Sequence, residues 1–149
     1  MGAHLITRRT PVPPHTRGWT HQQVDQRERK LARALGAWAA GSVVVGLLVR
    51  GGAGRQHAAW GSVDGALAAR GLLRAPDRRR GPGERAARLR RLLLVNSGLD
   101  VGYLALGAAL RSGRLGAARR PDGGAVLVQG AFLLGLDLWH ARALQAPPR

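Results

Sequence analysis

Charge in this chain comes in blocks, and the gaps between the blocks decide what it can fold into. No charged residue occurs from Ala34 to Val49. Asp64 is the only charge between Arg55 and Arg70, Asp100 the only one between Arg91 and Arg111, and Asp137 the only one between Asp122 and Arg142. Four apolar segments result, over about residues 31–49, 56–73, 92–110 and 123–144. A helix that crosses a bilayer needs about 20 mostly apolar residues, within a range of roughly 17–25. The second segment is the weakest, because it carries Asp64 and Arg70. None of the four alternates like a half-buried strand. A helix lying against a soluble core keeps a polar face along its length, and from Ala34 to Val49 the first segment has no charge or amide from which to make one. The pattern predicts an all-α protein, an integral membrane four-helix bundle with up-down topology, over a soluble bundle with unusually apolar helices.

The segments order the rest of the chain. Residues 1–23 read as an irregular basic tail, 24–145 as the four-helix membrane domain and 146–149 as a short C-terminal tail. Val24 to Arg33 continues into the first span as a polar helix. Arg50–Gln56 is a tight turn. Ala75–Arg91 is a basic loop, in which Pro76 and Pro82 should break any helix and a short helix from Glu84 leads into the third span. Of the 24 Lys and Arg residues, 18 lie in the regions that four spans place with the two termini, and 6 on the other side. That bias predicts a multi-pass protein of the inner (cytoplasmic) membrane with both termini cytoplasmic. The N-terminus lacks the apolar core of a secretory signal, and Ile6 stands where a myristoylation signal wants Ser or Thr. There are no cysteines, which excludes disulfides and thiolate metal sites.

Three of the eight acidic residues, Asp64, Asp100 and Asp137, fall inside the apolar segments. Intramembrane charge is costly, so such residues face the interior and seek partners. On the third span Asn96, Asp100 and Tyr103 are spaced by 4 and 3, and so share one helix face. On the fourth, Gln129, Asp137 and His140 share another. The two faces match in depth, which predicts a buried hydrogen-bonded network joining helices three and four. Arg70, about 6 Å above the cytoplasmic end at a rise of 1.5 Å per residue, could reach Asp100 or Asp137, or could extend to the interface. The competing reading makes Asp100 and Asp137 a proton or small-cation path, since burial and mutual repulsion both disfavour two charged carboxylates.

Other classes find less support. His57 and His140 lie at opposite ends of the bundle and cannot share a haem iron. No nucleophile–base pair, phosphate loop or metal-ligand set is evident, so no enzyme activity, cofactor or metal is expected. The run at Arg78, Arg79 and Arg80 has no interleaved aromatics and no nucleic-acid reader fold around it; anionic lipid headgroups suit it better. The chain is expected to act as a structural or interaction component, alone, as a homo-oligomer or in a membrane complex. Two GxxxG matches, Gly61 to Gly65 and Gly98 to Gly102, would allow close helix crossings. Trp38 reads as packing, and Trp60 and Trp139 as interfacial anchors.

The segments "VNSGLDVGYLALG" (95–107) and "VLVQGAFLLGLDLWH" (126–140) resemble a family of small bacterial integral-membrane proteins catalogued as a domain of unknown function. "GAWAAGSVVVGLL" and "AAWGSVDGALAARGLL" resemble its first two helices, so the similarity covers about Leu31 to Leu144. Ser42 and Asp64 stand where that family more usually has Asn, which weakens any requirement for charge at position 64. The resemblance implies a membrane fold of about four helices and no particular activity.

Overall fold

The computed structural model describes residues 18–117 and 120–147. Most of the expected N-terminal tail and the last two residues of the C-terminal tail lie outside the described residues. Four helices follow one another: α1 His21–Leu48, α2 Gly52–Leu73, α3 Pro82–Arg111 and α4 Arg120–Ala143.

The helices start where local chemistry tells them to. Thr20 and Gln23 form a reciprocal capping box at α1: the Gln23 amide N–H donates to Thr20 Oγ1 at 3.2 Å and Thr20 N–H to Gln23 Oε1 at 3.0 Å. Pro82 does not break the chain's third helix but opens it, at the first helical position. A missing N–H costs nothing there, because that N–H would have no intrahelical partner. The expectation that Pro82 breaks any helix in a loop reaching Arg91 is therefore corrected, while the helix expected from Glu84 does lead into the third span and begins two residues earlier. α3 is one helix of 30 residues, with Glu84 in its first turn held by Arg80 at 3.1 Å. Gly51 (φ +89°) makes the turn into α2, and Gly113 (φ +81°) follows the end of α3.

The helices pair as two antiparallel hairpins. α1 packs along α2, α3 along α4, and the hairpins join chiefly where α2 lies on α4. Glycine sets the closeness within each hairpin. A Cβ at Gly61 would fall 2.9 Å from the Ala39 carbonyl oxygen, and one at Gly123 would fall 2.5 Å from the Arg111 amide nitrogen. Of the two GxxxG matches, only the first is used in this way. A Cβ at Gly98 or Gly102 would meet nothing within 4 Å.

α1, α3 and α4 are long and apolar enough to cross a membrane, and α2, the segment with Asp64 and Arg70, is not. At 1.5 Å per residue α1 is about 42 Å long and α3 about 45 Å, against a hydrocarbon core of about 30 Å. Both overhang their hairpin partners at the same end, where α1 begins, α3 begins and α4 finishes. There Val24, Ala86, Leu93, Ala141 and Leu144 form an apolar cluster, with Trp19, Leu31 and Leu89 against it.

Burial elsewhere runs opposite to that of a water-soluble bundle. Leu47, Leu48 and Leu73 are 78–86% exposed, and valines and leucines line the outside of every helix. Asp64, Asp100, Gln129 and Asp137 are buried.

Candidate functional site

The buried polar residues meet mid-bundle, at the seam between the hairpins. The Trp38 indole N–H on α1 donates to Gln129 Oε1 on α4 at 2.9 Å. An indole nitrogen can only donate, so this bond fixes which way the Gln129 amide faces. Its NH₂ then points at Asp64 on α2, and Nε2 donates to Asp64 Oδ2. One side chain thus ties three helices together. Trp38 also stacks on Phe132, with ring centroids 3.9 Å apart and planes 6° from parallel, which holds the indole edge towards Gln129. On the other side of Gln129, Trp60 meets Tyr103 edge-on with centroids 5.2 Å apart, and the residues around this pair leave only about 10 Å³ of free space.

The α3 residues complete the site without joining that chain of bonds. Asp100 is close enough to Asp64 and Asp137 to interact with both carboxyls, and Asn96 stands beside Asp137. Asp100 is 4% exposed, and its Oδ2 has no hydrogen-bond partner. None of the ion pairs among the described residues reaches Asp64, Asp100 or Asp137. Arg70 is exposed and forms none of these pairs, so it is not the partner that its depth allowed. His140 is buried near the end of α4. Among the described residues no group of three His, Asp or Glu is spaced to hold a metal ion.

Of the sequence-derived set, the structure brings together Asn96, Asp100, Asp137, Gln129 and Asp64, with Tyr103 at the edge. The hydrogen bonds it draws differ from those expected. Gln129 bonds to α1 and α2, not to α3, because it lies on the side of α4 that faces the other hairpin. Trp38 is more than packing: it is the donor that orients the amide.

A second polar cluster was not read from the sequence. Where α1 and α3 overhang together, Arg85 Nη2 donates to Asp25 Oδ1 and to Glu28 Oε2, both at 2.8 Å. Arg78 Nη2 reaches Asp25 Oδ2 at 2.7 Å. Asp25 and Arg85 are 6% and 5% exposed. Burial works to raise the Asp25 pKa, but the guanidiniums of Arg85 and Arg78 outweigh it and hold the carboxyl below its ordinary value. For Arg85, burial opposes the charge, and Asp25 and Glu28 outweigh it and raise its pKa. These residues lie in the polar turns before the apolar stretches of α1 and α3.

The model of a protein family described as a family of unknown function (DUF6992) matches residues 34–138. No curated protein and no solved structure matches the chain. The matched range takes in the whole mid-bundle site and leaves out the Asp25 end of the second cluster.

Proposed function

The chain belongs to that family of unknown function, and on this footing we propose that it is a multi-pass protein of the inner (cytoplasmic) membrane that serves as a structural or interaction component. Three helices of spanning length support the membrane location, as does an exterior of leucine and valine around buried aspartates. The bias of 18 to 6 in Lys and Arg supports cytoplasmic termini. α2 spans only in company: Asp64, its one carboxylate, is turned onto Gln129 and away from lipid. The reading gives the chain no reaction and no cofactor.

The observation that carries the structural role is the Gln129 bridge between α1, α2 and α4. Single membrane hydrogen bonds are modest, about 0.6 kcal/mol on average. Two bonds from one amide at the seam contribute more to register than to stability, because any slip of α4 leaves an indole N–H and a carboxyl unpaired. The test is disulfide trapping between cysteines placed in α2 and α4, in a chain that has none of its own. With Gln129 present, one register cross-links. With Gln129→Leu, neighbouring registers should cross-link as well. A single register in both proteins overturns the proposal.

The unpartnered oxygen of Asp100 favours a second reading, in which this carboxyl exchanges a proton with Asp64 or Asp137. Proteoliposomes under a pH gradient test it: equal proton flux from wild type and Asp100→Asn eliminates this reading.

A further inference from the structure

An open groove of about 870 Å³ lies along the overhanging start of α1, lined by Gln26, Arg29, Lys30 and Arg33 together with Arg78 from the α2–α3 loop. Asp25, at its floor, is already shared between Arg85 and Arg78, so it does not neutralise the other three cations. The α1 residues recur at intervals of three and four and are therefore on one face of the helix. That face continues past Arg33 as Ala37, Ala40, Gly41 and Val44, all exposed and all apolar. Within one helix face, a cluster of guanidinium and ammonium groups gives way to an uncharged strip.

We propose that this groove holds the headgroup of an anionic phospholipid, with the phosphate among Arg29, Lys30, Arg33 and Arg78 and an acyl chain along Ala37 to Val44. The inference rests on the membrane reading above. Two features select a lipid over a free anion. The cations stop at Arg33, the boundary of the apolar stretch, which is where a headgroup phosphate sits. The strip beyond them offers a soluble phosphate nothing. Arg78 is the anchoring cation: one of its nitrogens is fixed on Asp25 at 2.7 Å, while the side chain stays 54% exposed.

The test uses the full chain in detergent, titrated separately with phosphatidylglycerol, phosphatidylcholine and inorganic phosphate, with bound lipid counted by native mass spectrometry. Each cation near an anionic headgroup is worth about a fivefold change in affinity. The triple variant Arg29→Gln, Lys30→Gln, Arg33→Gln should therefore bind phosphatidylglycerol roughly a hundredfold more weakly. Arg88→Gln, Arg91→Gln, Arg142→Gln removes equal charge from exposed positions outside the groove and should cost less than about tenfold. Wild type should prefer phosphatidylglycerol to phosphatidylcholine, and millimolar phosphate should not displace the bound lipid. Equal losses in the two triple variants, no preference between the lipids in wild type, or displacement by phosphate would each overturn the proposal. A separate flotation with phosphatidylcholine vesicles alone reports on the membrane reading: a chain that does not float defeats both, and one that floats without lipid preference defeats only the groove.

Discussion

Replacing Arg85 by Met should unfasten the overhanging ends of α1 and α3, and the size of the effect follows from what each partner has left. Removing one member of a buried ion pair costs about 3–5 kcal/mol when the other is stranded. Glu28 is not stranded, because its side chain is 37% exposed and can turn to water. Asp25 is partly stranded: it loses the bond to Oδ1 but keeps Arg78 on Oδ2. The expected cost is thus about 2–3 kcal/mol, below the full range. Asp25→Leu alone should cost about 2 kcal/mol, since Arg85 retains Glu28. The double variant places two apolar side chains beside Val24 and Ala86 and should return to within about 1 kcal/mol of wild type, as buried pairs replaced by apolar groups often do. A double-mutant cycle, measured by reversible unfolding in mixed micelles, should then give a coupling of at least about 3 kcal/mol. If the two single costs add to the double within about 0.5 kcal/mol, the ion pair does not hold this end and the reasoning fails.

The same pair carries a pH signature. Asp25 has a lowered pKa in the folded chain, so its contribution is present above the ordinary carboxyl value of 3.8 and is lost as the pH falls through the lower folded value. The stability gap between wild type and Asp25→Leu should therefore close on acidification below that value, and a gap unchanged down to pH 2 would refute the assignment. Trp38→Phe keeps the stack on Phe132 but orphans Gln129 Oε1, and should lower stability by about 1–3 kcal/mol in the same unfolding assay. Gly123→Ala should cost at least about 1–3 kcal/mol, because its Cβ would meet Arg111 backbone, whereas Gly98→Ala and Gly102→Ala should be neutral. Comparable losses at all three glycines would show that α3 has a closer neighbour on its open face.

Charge blocking made three of the four helices plain, because a run of spanning length with at most one charge leaves little else to form. It also made α2 doubtful, and the structure bears out that doubt, since α2 falls short of spanning composition. Helical spacing put Asn96 with Asp100 on one face of α3 and Gln129 with Asp137 on one face of α4, and the matching depth of the two faces brought Asp100 near Asp137. It did not show which hairpin Gln129 faces, because the order of helices around a bundle is not a periodicity. Pro82 misled for a local reason: a proline reads as a stop inside a helix and as a start at its first turn, and only the capping position separates the two. The Asp25–Arg85 pair, 60 positions apart in a region crowded with arginine, had no spacing to reveal it.

The bridge between Asp64 and Gln129 joins residues separated by 65 positions. On the membrane reading proposed above, with the chain inserted as it is made, that separation is a waiting time. At about 5–20 residues per second, Asp64 emerges roughly 3–13 s before the amide that will receive it. During that interval α3 is made but does not pack along α2, so Asp64 still lacks its partner. The first hairpin must then linger at the insertion machinery or in the headgroup layer until α4 arrives. On that reading Gln129 latches the order of assembly, and a chain truncated before α4 should be the form that cellular proteases recognise and remove.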